Sequence, residues 1–345
     1  MSHFFVTGGA GFLGINLVRR FLALGHRVTT FDRSPFDYPE SGLVTHVVGD
    51  IRDADALSKA MSDADAVIHA AAALPLNSRE EIFSVDVDGT RQVIEEARRL
   101  SIDRFVHISS TAVYGVPKVG GLTEDSPLVG VGAYGSAKIA AEKVVADYRD
   151  RMTVTIVRPK SFIGPERLGV FSILYDWAST GHHFPIPGKG ANLYQYLDVE
   201  DLCGAIELAL SAPRPIANET YNFGASDFGT FREDFQAVLD RAGFGKSVKS
   251  VPVLPAIFAL RLLDKLGLSP LYPWVYETAI KDSYVSIDKA RRNLNWSPKY
   301  SNQEALVRNY VWYANNKSAF GAESGTTHRV PWKQGALGLA KHLFR

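Results

Sequence analysis

A doubly wound α/β fold, with helices on both faces of a parallel sheet and a smaller C-terminal lobe, is the architecture this sequence predicts. Three observations predict it. Short runs rich in Val, Ile and Phe alternate with helical repeats through the first 160 residues. A glycine-rich turn joins the first run to the first helix. The alternation then loosens after Arg158-Pro159 and fails beyond about residue 212.

Taken in order, the strands are expected at His3–Val6, Arg27–Phe31, Thr45–Val48, Ala66–Ala70, Phe105–Ser109 and Val154–Val157. Each is almost unbroken in hydrophobicity, as a strand covered on both faces must be. Between them, Phe12–Leu24, Asp53–Ser62, Ile82–Leu100 and Ala133–Tyr148 place apolar residues at helical spacing, as in Val93, Ile94, Ala97 and Leu100. Strand–helix–strand repetition demands right-handed crossovers and a parallel sheet, which makes the fold class Rossmann-type. One further helix is expected around Ala205–Leu210, opened by Asp198 to Asp201. The expected division is 1–160 plus about 191–215 as the dinucleotide domain, about 161–190 with 216–316 as a substrate-binding lobe, and 317–345 as a basic tail.

Bulk composition narrows the function. Lys plus Arg number 38 and Asp plus Glu 37 in 345 residues, so no global field recruits nucleic acid. Cys203 is the single cysteine, which rules out an internal disulfide and a multi-cysteine metal site. The adjacent His182 and His183 have no acid cluster beside them, so no metal is expected. Met1-Ser2-His3 runs straight into an apolar strand without a basic leader, and a cytoplasmic location is expected.

The turn reads Thr7-Gly8-Gly9-Ala10-Gly11-Phe12-Leu13-Gly14. Gly8 permits the tight turn, Gly11 lets backbone approach a pyrophosphate, and Gly14 lets the helix pack on the sheet. The helix N-terminus at Phe12 and Leu13 then offers its N–H groups to the phosphates. Asp32 closes the second strand, where a carboxylate accepts from ribose hydroxyls and repels a 2′-phosphate. NAD is therefore the expected cofactor. Arg33, suited to pairing with that phosphate, leaves NADP open. Asp50-Ile51 after the third strand are placed for the adenine, with a helix cap as the competing role of Asp50. Ala71 and Ala72 are small enough to lie against the cofactor.

Tyr134 and Lys138 lie four apart on one helix face. An ammonium beside a phenol favours phenolate and makes it a usable acid or base. Ser110 ends the fifth strand, where its hydroxyl can hold a substrate oxygen. With the glycine turn, Asp32 and Ser109-Ser110-Thr111-Ala112-Val113-Tyr114-Gly115 in this order, the chain resembles the extended short-chain dehydrogenase/reductase family, and within it the epimerase/dehydratase branch. The resemblance spans at least residues 3–212 and recurs at 283–313. It implies hydride transfer at a secondary alcohol or ketone carbon, with Ser110, Tyr134 and Lys138 catalytic. It also implies a cofactor-side role for the Arg158-Pro159 segment, with Pro159 and Ser161 beside the cofactor. Asp86 departs from the pattern, since many members carry Asn there; it is read as a polar contact on the helix face.

Two substrate readings follow. A nucleotide sugar is what the branch commonly takes, yet Ser161 stands where such members carry Asn, and Gly190–Tyr196 lacks their diphosphate-clamping arginine. Lys160, Arg167, Lys189 and Lys281 are the cations available for such a group. The apolar run from Val253 to Leu263, followed by Leu268 to Tyr276, instead resembles 3β-hydroxysteroid dehydrogenase-like members, which take sterols or 3-oxo lipids. Thr111, Tyr114, Ser161, Arg167, Tyr194, Tyr196 and Lys281 are the candidate substrate contacts. A third reading, a non-catalytic NAD sensor, leaves the proton donor without purpose. The tail carries a net charge of +4 with Trp332, Leu337, Leu339, Leu343 and Phe344 interleaved. It is read either as peripheral contact with an inner membrane face or as an arm packed on the same chain or on the partner of an expected homodimer.

Overall fold

The structure is a computed structural model and describes residues 1–116, 120–265, 278, 280–320, 338 and 341–345. Its strands are β1 (His3–Thr7), β2 (Arg27–Asp32), β3 (Thr45–Val48), β4 (Ala66–His69), β5 (Arg104–Ile108), β6 (Thr153–Pro159), β7 (Phe162–Ile163), β8 (Phe184–Pro187), β9 (Leu197–Asp198), β10 (Thr220–Phe223) and β11 (Val248–Val251). Its helices are α1 (Phe12–Ala23), α2 (Ala54–Met61), α3 (Arg79–Phe83), α4 (Thr90–Arg99), α5 (Gly132–Ala146), α6 (Phe171–Ser179), α7 (Val199–Ser211), α8 (Arg214–Ala217), α9 (Phe231–Ala242), α10 (Val253–Lys265), α11 (Asp288–Leu294) and α12 (Asn302–Asn316).

Seven strands form one parallel sheet in the order β3-β2-β1-β4-β5-β6-β10. The first six fall within two residues of the expected spans. Strand order reverses between β1 and β4, and in such sheets the crevice lies outside the carboxyl ends of the strands at that point. α1, α7 and α11 cover one face, with Phe21, Leu17, Leu202 and Trp296 fully packed. α2, α4 and α5 cover the other, around Phe31, Phe105 and Met61. A third core under α6, α9 and α12 builds the lobe, tied by the short pairs β7–β9 and β8–β11.

Two elements differ from expectation. The seventh strand comes from the stretch assigned to the lobe. β10 is only Thr-Tyr-Asn-Phe, too short to show a period, and it docks beside β6 from Thr220↔Ile156 to Phe223↔Pro159. The single helix expected over Ile82–Leu100 is broken: α3 and α4 flank a π-type turn at Ser84–Gly89. A π turn inserts one residue into a helical repeat, which the apolar spacing absorbs without trace.

The basic tail folds back where it is described. Lys341 and Lys317 both pair with Asp176 near the end of α6, the Phe344 ring lies 5.9 Å from Trp177, and the Phe344 carbonyl accepts from the His183 amide at 2.8 Å. His183 is tied to the lobe through its Nδ1, which accepts from the Ser247 amide at 2.9 Å. Residues 321–337, 339 and 340, with Trp332, Leu337 and Leu339, lie outside the described residues. No helix among the described residues is long and apolar enough to cross a membrane.

The carboxylate of Glu142 on α5 and the guanidinium of Arg158 on β6 meet at 2.6 Å with side chains 5% and 6% exposed. Arg158 also donates to the Tyr114 hydroxyl at 2.9 Å and the Glu124 carbonyl at 3.1 Å. Removing one partner of such a buried pair strands the other charge. Arg158→Met is expected to cost about 3–5 kcal/mol, read as a lower urea midpoint with unchanged slope.

Candidate active site

A cleft of about 1240 Å³ runs along the carboxyl ends of the strands. Every residue expected beside the cofactor lines it: Gly8, Gly11, Phe12, Leu13, Gly14, Asp32, Arg33, Asp50, Ile51, Ala71, Ala72, Tyr134, Lys138, Pro159 and Ser161. Ser110, Thr111 and Arg167 line it too.

The glycine turn is built by close approach. Gly8 has φ +69°, and a Cβ there would fall 2.7 Å from the Ala71 amide nitrogen. A Cβ on Gly14 would fall 2.3 and 2.5 Å from the Gly8 and Gly9 carbonyl oxygens. α1 can therefore start under the loop only because neither residue has a side chain. Gly11 differs: its Cβ would meet only the Gly8 carbonyl, at 3.1 Å, so its small size serves the cleft more than the fold.

At the second strand, Asp32 accepts from the Ala10 amide at 3.1 Å and the Ser34 amide at 2.9 Å. The carboxylate thus locks the loop and still lines the cleft. Arg33, the residue that left NADP open, is engaged by acids: Glu81 at 3.0 Å and Asp50 at 3.8 Å. Arg52, missed in the sequence, bonds Asp50 at 2.6 Å and Glu81 at 3.3 Å. Hydrogen bonds from the Arg52 side chain hold the Asp50 carboxyl below its ordinary range. Asp53, not Asp50, caps α2. Three carboxylates at this end favour the dinucleotide without a 2′-phosphate.

At the other end, the Ser110 hydroxyl caps the turn that follows β5, accepting from the Ala112 amide at 3.1 Å, and lies within hydrogen-bonding reach of the Tyr134 phenol. The Lys138 ammonium is 5.7 Å from the Tyr134 ring centroid and 3.4 Å from the Ile108 carbonyl. It is also 3.6 Å from Asp86, with both side chains 3% exposed or less. The expectation that Lys138 brings Tyr134 to a low pKa is only half right. Burial raises the phenol, the ammonium lowers it, Asp86 raises it further, and the balance lies above the ordinary value.

The structure does not gather all the expected substrate contacts. Thr111, Ser161 and Arg167 line the cleft; Tyr114, Tyr194, Tyr196 and Lys281 do not. The Tyr114 hydroxyl is spent on Asn222 at 2.8 Å and on Arg158. Tyr194 and Tyr196 are core residues whose tilted rings lie 5.0 Å apart. Arg167 sits over the rings of Phe12 and Phe162, at 5.2 and 5.3 Å. Aromatic residues read as a pocket lining are equally what a lobe core requires, and the sequence offers nothing to separate the two.

Gly11→Ala is expected to melt within a few degrees of the parent yet bind NADH at least about tenfold more weakly, measured by fluorescence titration. Gly14→Ala is expected to lose both stability and binding, because backbone carbonyls oppose it.

Comparison with known proteins gives a consistent assignment. Residues 4–224 match the NAD dependent epimerase/dehydratase family. An uncharacterized protein, y4nG, of Sinorhizobium fredii is 37% identical over 99% of this chain and 86% of its own length. A 3 beta-hydroxysteroid dehydrogenase/Delta 5-->4-isomerase of Mycobacterium tuberculosis is 30% identical over 89% of each chain. Among solved structures, the UDP-glucose 4-epimerase of Thermotoga maritima superposes with a TM-score of 0.77 at 22% identity, covering 91% of this chain and 99% of that one. The dTDP-glucose 4,6-dehydratase of Bacillus anthracis, solved with NAD, gives 0.75 at 23% identity over 92% and 98%. The chain belongs to the NAD dependent epimerase/dehydratase family of extended short-chain dehydrogenases/reductases, and it is an NAD-dependent enzyme of that family.

Proposed function

We propose that this enzyme transforms a nucleotide sugar, as an epimerase or dehydratase acting at a secondary alcohol carbon. The observation that carries this reading is the character of the cleft beyond Tyr134. Thr111, Lys160, Ser161 and Arg167 line it, offering hydroxyls and cations to a polar, anionic substrate. The apolar run that suggested a sterol lies elsewhere. Leu254 and Phe258 on α10 are 83% and 70% exposed, and among the described residues none of that helix lines the cleft. Leu268 to Tyr276 fall outside the described residues.

NAD, held by the Gly8–Gly14 turn and Asp32, would supply reversible hydride chemistry when bound. Ser110 holds the substrate oxygen. Tyr134 takes and returns its proton. Lys138 carries the positive charge that stabilises the phenolate, and its placement suits the nicotinamide ribose. A homodimer of cytoplasmic location fits this reading.

A second reading keeps the same three residues but ends in a net dehydrogenation of a 3-hydroxy lipid or steroid. The mycobacterial relative supports it through its overall identity. The two are separated by thermal shift of the NAD-loaded enzyme, since a ligand at 100 times its Kd adds about 2.7 kcal/mol to stability. UDP or dTDP is expected to raise the melting temperature by several degrees, and a panel of 3-keto steroids to leave it unchanged. The reverse result overturns the nucleotide-sugar reading. Tyr134→Phe is expected to keep NADH binding and lose turnover about 100- to 10,000-fold; full turnover would remove Tyr134 from the mechanism.

A further inference from the structure

Asp86 is the buried carboxylate that the mechanism above leaves unused. Its place in the fold is specific. It sits in the π turn at Ser84–Gly89, between two ordinary helical segments. Without the extra residue, the helical repeat would turn this position by about 100°. Two contacts fix it: its Oδ1 accepts from the Ala73 amide at 2.7 Å, and its carbonyl accepts from the Thr90 hydroxyl at 2.6 Å. Oδ2 is buried, makes no hydrogen bond among the described residues, and faces the Lys138 ammonium at 3.6 Å.

The other groups around Lys138 provide less of this charge than Asp86 does. His69 on β4 and His107 on β5 are driven neutral by burial and by the ammonium itself. Glu142, one turn along α5, is committed to Arg158. Ser110 is uncharged, and Arg167 acts on Tyr134 in the same sense as Lys138. Among the described residues, Asp86 is the carboxylate within ion-pair range of Lys138.

We propose that Asp86 is a positioning residue for proton transfer: its carboxylate is the fixed counter-charge of Lys138, and it keeps the shared proton on the Tyr134–Lys138 pair. The inference rests on the roles given above to Tyr134 and Lys138. It specifies how they are set in this chain. Two neighbouring groups that interact strongly give up one proton as a pair, whichever site formally loses it. An anion 3.6 Å from the ammonium, shielded from water, opposes that loss. Burial alone would pull Lys138 down, yet Asp86 and the Tyr134 charge outweigh it and leave Lys138 above its ordinary value. The free enzyme therefore rests with phenol and ammonium both protonated. The base needed to oxidise an alcohol forms only when further positive charge enters the cleft or the pH rises.

The test uses Asp86→Asn, which keeps the shape and the acceptor for Ala73 but removes the charge. Tyrosine labelled at Cζ and lysine labelled at Cε are followed by ¹³C NMR across pH in the full-length protein without substrate. The two signals are assigned with Tyr134→Phe and Lys138→Met. Loss of the pair's proton is expected to move down by about one pH unit or more in Asp86→Asn, a tenfold change in the ionisation constant. Asp86→Ala is expected to move it the same way and keeps the test available if the asparagine variant folds poorly. A midpoint unchanged to within about 0.3 unit in a folded variant overturns the proposal, because a purely structural role for Asp86 leaves the titration where it was. No substrate is present, so the outcome is separable from that of the substrate panel.

Discussion

The buried pair of Glu142 and Arg158 is the constraint on which the geometry of the candidate site depends. Three donors of Arg158 and the Ser109 hydroxyl converge on it: Arg158 Nε and Nη2 on the carboxylate, Arg158 Nη1 on Tyr114, and Ser109 Oγ on Glu142 at 2.5 Å. Glu142 lies one turn beyond Lys138 on α5. Ser109 immediately precedes Ser110. Tyr114 ends the turn that Ser110 caps, and its hydroxyl reaches Asn222 on β10. One ion pair thus fixes the helix carrying Tyr134 and Lys138 against the strand end carrying Ser110. Its desolvation cost is high. A fully hydrogen-bonded network offsets that cost in a way an isolated pair would not.

Much of this was legible in the sequence because the relevant signals are local. Strand period, helix period and glycine spacing each report on a few neighbouring residues, and β1 to β6, α1, α2, α5 and the glycine turn fall where those signals put them. The parts that escaped depend on contacts distant in sequence. β10 is a strand because β6 offers it a partner 64 residues earlier. Tyr114 is a structural residue because Arg158 and Asn222 reach it from other elements. The π turn is invisible because hydrophobic periodicity over Ile82–Leu100 is satisfied whether or not one residue bulges. Ser110, Tyr134 and Lys138 could be picked out as candidates because four-residue spacing on a helix and a serine at a strand end are local facts, and the fold brings the three to one cleft. The sign of the Tyr134 environment was not, since it is set first by burial of the phenol in the folded chain and then by Asp86, 48 residues away.

The cleft is electrically divided. At the adenine end, Asp50 and Glu81 pair with two arginines, Arg33 and Arg52, while the Asp32 carboxylate accepts from the Ala10 and Ser34 amides. At the substrate end Lys160 is not matched by a carboxylate among the described residues. Lys160 donates to the Ser283 hydroxyl at 2.7 Å and lies 5.0 Å from the Tyr194 ring, and burial alone brings its pKa down to about 7. A hydroxyl and a ring face compensate an ammonium poorly. An incoming anion would compensate it well, and on the nucleotide-sugar reading proposed above this asymmetry orients a substrate charged at one end.

The same division explains why the Tyr134–Lys138 pair needs a fixed carboxylate. Lys138 and Arg167 both bring positive charge to bear on the Tyr134 phenol. With no counter-charge, these cations would strip the phenol or the ammonium at a lower pH, and the proton would no longer wait for the cofactor and substrate. Placing Asp86 on a π turn, anchored to backbone, puts the compensating charge under Lys138. The face of the cleft that receives substrate stays cationic. The bulge in the helix is the geometric cost of satisfying both demands with one residue.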